Sequence, residues 1–523
     1  MDYHREISLR DMLHRAAKWY PQREAAVDDT VRYTYGELLA RARQVAQLLH
    51  ERGVRKGDRV ALLLYPSANH VVTLFGIIEI GAIPCALHLR ESAALLEAVV
   101  DRLAPRALVY DVALGGLVAD LRTRTDLITA YVGATSERSG SADQDCPDPV
   151  IPRDLEGREL DFEPMPLYAH DPALIALSSG TTGVPKGILH SHRNLVESAR
   201  GGVNIWGITP HSAIVNLSTT AFIGWYNCAL PFFNVCAKVA FMSQWQPQKF
   251  LQKMQDEGCD VAFLVPTMWR MLLREPLGEY DLSAVRMAGF AGEAMDTSTM
   301  AAIRERIAPK VMNIYGTTET GSCAAGTIMY NEDFADSTKI ESVGKPFMNA
   351  DVRVIRPGGT VDDELGPNEE GEVVIRGLSV AQEVWDQPEV ARRIFEGPWW
   401  HSGDMGMLDD DHYLYLRGRI DDMIISGGIN ILPARVEEAV LSHPAVSECA
   451  VIGLPDPEWG QRVAAFVITT AEVSEADLDA HVRDTDLADY QRPRVYRFVD
   501  ELPKGPTGKV SRRLLRDSVQ QAP

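Results

Sequence analysis

The run Ser178-Ser179-Gly180-Thr181-Thr182-Gly183-Val184-Pro185-Lys186-Gly187 sets three glycines among four hydroxyl side chains. Backbone N–H groups left uncovered by side chains, with hydroxyls beside them, can wrap a polyphosphate, and Lys186 adds a positive charge. A Walker A loop is excluded, because that pattern needs Gly directly before Lys and Ser or Thr after it, whereas Pro185 precedes and Gly187 follows. Three further stretches carry matching chemistry. Tyr315-Gly316-Thr317-Thr318-Glu319 offers an aromatic face, two hydroxyls and a carboxylate, a set suited to stacking on adenine and holding Mg²⁺ near phosphate. Asp404, in His401-Ser402-Gly403-Asp404, sits in a Gly-flanked turn where a carboxylate can accept hydrogen bonds from both hydroxyls of a ribose. Lys509, in Pro506-Thr507-Gly508-Lys509, ends a loop able to carry a long cation into a cleft, where it would stabilise charge built up at a reacting phosphate.

These residues need a frame that presents loops along one edge. Between about residue 30 and residue 320, short apolar or β-branched runs alternate with helical patterns, which is how a parallel sheet covered by helices reads. Candidate strands are 60–65, 107–111, 174–177, 213–217, 261–265 and 311–315. One connecting helix is well signalled: Thr34 and Glu37 form a capping box, Leu38, Ala42, Val45 and Leu49 share a face, and Gly53 follows. Residues 136–152, rich in Ser, Asp and Pro, read as a surface loop. From about 342 to 420 apolar runs between Gly-Pro turns predict a β-rich subdomain, and 421–523 reads as a compact mixed tail. The fold class is α/β: a large N-terminal domain over 1–420 and a small α+β C-terminal domain over 421–523.

A chain of 523 residues exceeds what one core normally organises, so at least two domains are expected. Its apolar runs fall far short of the ~20 residues a membrane span needs, and the mixed charges of Asp2, Arg5 and Glu6 lead into no secretory-type apolar core. A cytoplasmic address is the expectation. Seven scattered cysteines show no metal-binding spacing and read as reduced thiols. The net charge of −21 argues against nucleic acid and anionic membrane as partners, so any phosphate must be held by short-range donors.

The glycine-rich loop, with His190-Ser191-His192-Arg193-Asn194-Leu195 after it, resembles the phosphate-binding motif of the acyl-adenylate-forming superfamily: acyl- and aryl-CoA synthetases, carrier-protein adenylation domains and beetle-type luciferases. The resemblance continues in order through Tyr315–Glu319, His401–Asp404, Gly418-Arg419-Ile420-Asp421-Asp422 and Pro506–Lys509. It implies that Ser178, Ser179, Gly180, Thr182, Gly183, Lys186, Gly292, Glu293, Ala294, Asn313, Tyr315, Gly316, Thr318, Asp404 and Arg419 bind ATP or AMP. It also implies that Lys509, Glu319 and Thr181 are catalytic, that Glu319 holds Mg²⁺, and that Asp421 is the hinge at which the C-terminal domain rotates between two half-reactions. Lys509 would bridge the carboxylate and the α-phosphate.

An acyl-adenylate can be passed to CoA, to a carrier-protein thiol or to a nitrogen nucleophile. Ser426-Gly427-Gly428-Ile429-Asn430 resembles a loop lining the pantetheine tunnel of CoA ligases, although carrier-protein enzymes have it too. Trp459, Tyr490 and Arg492 correspond to positions at which chlorobenzoate-type CoA ligases hold the CoA nucleotide, two rings for stacking and a guanidinium for phosphate. Packing within a small domain is the alternative for all three. The expectation is an ATP-, Mg²⁺- and CoA-dependent acid–thiol ligase, monomer or homodimer, with an adenylating enzyme serving a carrier protein or an amine as the other reading. By the same correspondence the acid pocket comprises Ala221, Phe222, Trp225, Phe290, Ile314 and Ser322, an apolar slot suited to an aromatic or medium-sized acid. Core packing accounts for Phe222 and Ile314 equally well. Ala221 stands where the family usually has His or another aromatic bordering the carboxylate, a departure that leaves the acid open.

Overall fold

The architecture comes from a computed structural model, which describes residues 7–178, 184–292, 295–321, 323–329, 337–504 and 510–521. It forms two compact units. The first comprises 1–352, 375–400 and 412–414, and the second 353–374, 401–411 and 415–523. The stretch expected as a β-rich subdomain is therefore divided between them. Its strands are Ala350–Ile355, Gly371–Gly377, Trp399–Leu408 and Leu414–Arg419.

The first unit holds two large sheets. In one, the order is Glu383–Val384, Lys186–Ser191, Pro172–Ser178, Ile83–Ala86, Arg59–Leu63, Ala107–Asp111, Ala130–Ala134 and Val150–Ile151. Strands Pro172–Ser178 through Val150–Ile151 run parallel; Lys186–Ser191 and Glu383–Val384 join antiparallel at the edge. Alternation along Arg59–Leu63 sends Val60 and Leu62 to the face covered by Tyr35–Glu51 and Ala68–Ile80, and Ala61 and Leu63 to the face of Ala93–Leu103 and Gly115–Arg124. Helices on both faces leave the carboxyl edge as the free crevice, the usual place for a ligand in a doubly wound sheet. Ser178 ends its strand at that edge. Val150–Ile151 lies within the stretch expected as surface loop; both residues are buried and complete the sheet.

The second sheet runs Lys345–Pro346, Cys323–Met329, Val311–Gly316, Met287–Ala291, Val261–Phe263, Ala213–Asn216, Lys238–Phe241, Glu24–Val27 and Arg32–Thr34. All six candidate strands fall on observed ones. The helix Tyr35–Glu51 begins at Thr34 with the reciprocal capping box, and Leu38, Ala42, Val45 and Leu49 are buried. Gly76 lets the next helix approach it: a Cβ there would lie 2.6 Å from Val45 Cγ1.

In the second unit Val446–Asp456 pairs antiparallel with Gly460–Thr469, which pairs parallel with Val495–Phe498. Helices Pro433–Leu441 and Arg512–Gln521 pack on Val446–Asp456, while Glu475–Arg483 packs on Pro433–Leu441. A short hairpin, Ile424–Ser426 with Ile429–Ile431, turns at Gly427 and Gly428.

Candidate active site

The glycine-rich run joins two strands that pair antiparallel, with Ser178 opposite Lys186 and Leu177 opposite Gly187. Strand–loop–strand geometry separates it again from a Walker A loop, which opens a helix. Ser179, Gly180, Thr181, Thr182 and Gly183 lie outside the described residues. The returning limb is held at two points. Arg102, in the last turn of Ala93–Leu103, donates from Nη1 to the carbonyls of Pro185 (2.7 Å) and Val184 (3.3 Å), and Trp385 N–H donates to Gly187 O at 2.7 Å.

The same strand reaches the second motif. His190, with no exposed surface, donates from Nε2 to Thr318 O at 2.9 Å. Burial in an apolar strand pulls its pKa down to about 4, so the ring is neutral and carries its proton on Nε2. Other ties complete the turn. Thr317 N–H donates to Thr320 Oγ1 at 3.0 Å, Gly321 N–H to Thr318 O at 3.1 Å, Ala381 N–H to Glu319 O at 2.8 Å, and Ser198 Oγ to Gly321 O at 2.8 Å. Gly321 has φ +66°, and a Cβ there would sit 2.4 Å from Ser379 O, so the turn requires glycine twice over. Gly316 is exposed and Thr318 and Glu319 are half-buried, whereas Tyr315 is buried. Asn313 Nδ2 donates to Ser342 O at 3.3 Å. Gly292, φ +90°, directly follows the neighbouring strand Met287–Ala291; Glu293 and Ala294 lie outside the described residues.

The expected acid-pocket residues do not all come together. Ala221 and Trp225 are fully buried, Trp225 stacked between His70 (4.4 Å) and Phe241 (5.8 Å), and half-buried Phe222 lies 5.5 Å from the His88 ring. Ile314 joins the same core as Trp225. Phe290 does not: it pairs with Asn313, one residue out of phase with Ile314, and its ring packs in the core on the other face of the sheet. Ala291, opposite Ile314, is the residue that shares Ile314's face. Ser322 lies outside the described residues.

In the second unit Asp404 accepts from Arg419 Nη1 at 2.9 Å, and its backbone N–H donates to Ser402 Oγ at 2.9 Å, so a carboxylate and a guanidinium are presented together. Lys509 lies outside the described residues. The segment it belongs to leaves and rejoins the described chain at one place: Lys504 bridges Val510, and Ser511 N–H donates to Pro503 O at 2.8 Å. Directly afterwards Arg512 binds Glu437 at 2.6 Å and Asp422 at 2.9 Å, and Arg516 binds Asp422 at 3.1 Å. Asp421, the expected hinge, is exposed in the turn Ile420–Asp422.

Gly427 (φ +59°) and Gly428 (φ +81°) form a two-residue turn whose positive φ angles favour glycine. Trp459 lies along it: Gly427 N–H donates to Trp459 O at 2.8 Å, and a Cβ on Gly427 would meet Trp459 Cε3 at 2.7 Å. Trp459 is 54% exposed and Tyr490 48%. Arg492, expected on a CoA phosphate, is 4% exposed and is instead bonded to Asp479 and, at 2.8 Å, to Asp489. Its charge is used inside the unit.

The sequence profile described as AMP-binding enzyme matches residues 13–385, and that of the AMP-binding enzyme C-terminal domain matches 435–509. The chain belongs to the AMP-binding enzyme family. It is 31% identical to the long-chain-fatty-acid–CoA ligase FadD13 of Mycobacterium tuberculosis, over 97% of each chain. It is likewise 31% identical to a 4-chlorobenzoate–CoA ligase of an Arthrobacter species, over 93% of this chain and 90% of that one. Among solved structures it is similar to the anthranilate CoA ligase AuaEII in complex with anthranoyl-AMP, at a TM-score of 0.85 and 26% identity, covering 100% of this chain and 99% of that one.

Within this AMP-binding enzyme, four residues with structural work at the motifs had no role in the sequence reading: Arg102, His190, Ser198 and Arg512. Only His190 left a signal, a histidine directly after the apolar pair Ile188-Leu189 of a strand. Arg102 and Ser198 act from other elements, and no local pattern ties them to the loops they hold.

Proposed function

We propose that the chain is an ATP-dependent acid–CoA ligase acting in the cytoplasm. A carboxylate oxygen attacks the α-phosphorus of ATP, pyrophosphate leaves, and the acyl-AMP formed is cleaved by the CoA thiolate at its carbonyl carbon, releasing AMP and a thioester. The observation that carries adenylation is the His190 hydrogen bond that ties the strand Lys186–Ser191 to the turn before Glu319; Lys186 and Glu319 are assigned to one polyphosphate. Asp404 and Arg419 suit the ribose, and Lys509 is assigned to charge stabilisation in the first step alone. Asp421 is assigned as the hinge between the half-reactions.

Magnesium fits Glu319. The ion accepts one or two carboxylates and fills its remaining positions with water and phosphate oxygens, and among the described residues no group of three or more His, Cys, Asp or Glu forms a cage. When bound, the ion would neutralise phosphate charge. Glu319, its backbone fixed by Ala381, would hold it.

CoA as acceptor is supported by relatives named as CoA ligases, such as FadD13 and the 4-chlorobenzoate–CoA ligase, and by the exposed Trp459 ring beside the Gly427–Gly428 turn, while a relative named as a fatty acid–[acyl-carrier-protein] ligase keeps the carrier-protein reading. Ala221, Phe222 and Ile314 favour an aromatic or medium-sized acid. Pyrophosphate release across a panel of acids, followed by mass spectrometry with CoA present, tests both steps. No pyrophosphate with any acid would sink adenylation; acyl-AMP without thioester would transfer the chain to the carrier-protein or nitrogen-acceptor reading.

A further inference from the structure

We propose that His190 is a positioning residue for the adenylation step, setting the Thr318–Glu319 peptide against the phosphate hairpin through its Nε2–H. The inference rests on the reading of the chain as an adenylating enzyme.

The strand Lys186–Ser191 begins at the hairpin's lysine and passes His190 four residues later, ~13 Å along an extended chain. A carbonyl can only accept, so the 2.9 Å contact to Thr318 O fixes the proton on Nε2. Nδ1 is buried and has no hydrogen-bond partner. A leucine would fill an apolar strand position without a stranded nitrogen, so packing does not explain a histidine here. What the histidine adds is one directed hydrogen bond, and it falls on the carbonyl directly before Glu319.

The turn's other ties act elsewhere. Ser198 holds Gly321 O and Ala381 holds Glu319 O, while among the described residues Thr318 O receives Gly321 N–H (3.1 Å) and His190. Without Nε2–H the Thr318–Glu319 peptide plane can rotate about its flanking bonds, carrying the Glu319 side chain away from its place beside phosphate. The hairpin and the carboxylate would then no longer share one rigid reference. Pre-organised geometry of this kind acts on the step in which charge develops at phosphate and is indifferent to the later attack of a thiol.

Two half-reactions separate this from a merely structural role. Adenylation is followed by pyrophosphate release with varied ATP; thioester formation is followed separately from supplied acyl-AMP and CoA. His190→Leu is expected to lower kcat/KM for ATP ~10- to 100-fold with the second half-reaction within about twofold of wild type. His190→Gln, whose amide nitrogen reaches the Nε2 position, is expected to recover adenylation to within about threefold. His190→Asn carries the same donor too short to reach and is expected to behave as Leu. Equal adenylation in wild type and His190→Leu would overturn the proposal, as would a parallel fall of both half-reactions or a Gln variant no better than Asn. If the Leu protein does not fold, the Gln–Asn pair decides. Wild-type protein that forms no acyl-AMP from any acid removes the adenylating reading itself; wild-type activity that His190 substitutions leave untouched removes only this assignment.

Discussion

The turn around Thr318 and the surface around Trp459 treat their polar groups in opposite ways. At the turn, a buried imidazole, a serine hydroxyl and backbone N–H groups each hold a named carbonyl, and glycine is required by both torsion and space. The Trp459 and Tyr490 rings stand about half in solvent, while the guanidinium of Arg492, two residues beyond Tyr490 in the chain, is closed off by two carboxylates. The first region is built before a ligand arrives; the second offers area that a ligand would cover. Charge stabilisation profits from fixed donors, whereas stacking needs only an accessible face.

Acid should destabilise the fold through its buried histidines, His190 at the turn among them. His70, His190 and His192 are buried neutral, their pKa values pulled to about 3, 4 and 4 by desolvation. An unfolded histidine takes its proton near pH 6.5, so between that value and 4 the unfolded chain binds more protons than the folded one. Stability is therefore complete above about pH 6.5 and is lost as pH falls. At pH 5 each ring contributes about 2 kcal/mol of loss, several kcal/mol together as an upper figure. Asp111, raised by burial, titrates in the opposite sense. Denaturant unfolding at pH 7 and pH 5 checks this, and the phenylalanine variant of His70 should flatten the dependence. Next in size is Lys509→Ala: adenylation should fall about 10²- to 10³-fold while thioester formation from supplied acyl-AMP persists. Wild-type pyrophosphate release by the variant would remove the assignment.

The frame was legible because its signals are local. Strand runs, the Thr34–Glu37 capping box and the four-residue face of Tyr35–Glu51 each lie within one element, and all appear in the fold. The motifs were legible as sets of donors. Their supports were not, because Arg102 reaches the loop's carbonyls from 82 and 83 residues away and Ser198 reaches Gly321 from 123. Phe290 was assigned by family correspondence, and only the strand register shows that its ring packs in a different core from Ile314. Arg492 shows that a residue type suited to phosphate is equally suited to carboxylates of its own chain.

Arg492 and Trp459 therefore give the sharpest test of the comparison. Arg492→Ala removes a buried guanidinium from Asp479 and Asp489, and because both carboxylates reach solvent the cost should be modest, about 1–2 kcal/mol. It should appear as a lower midpoint of unfolding, with KM for CoA unchanged. Trp459→Ala should do the reverse. The ring is 54% exposed, so its loss leaves stability nearly intact, but a stacked base would lose about 1 kcal/mol or somewhat more, read as a roughly five- to tenfold rise in KM for CoA. Adenylation should be untouched, since CoA takes no part in it. A Trp459 variant with unchanged CoA kinetics would return that ring to packing. A rise in KM for CoA in Arg492→Ala, with the unfolding midpoint preserved, would mean that the guanidinium leaves its carboxylates when the nucleotide binds, and the distinction between a region closed on itself and a surface left open would fail at its best-defined residue.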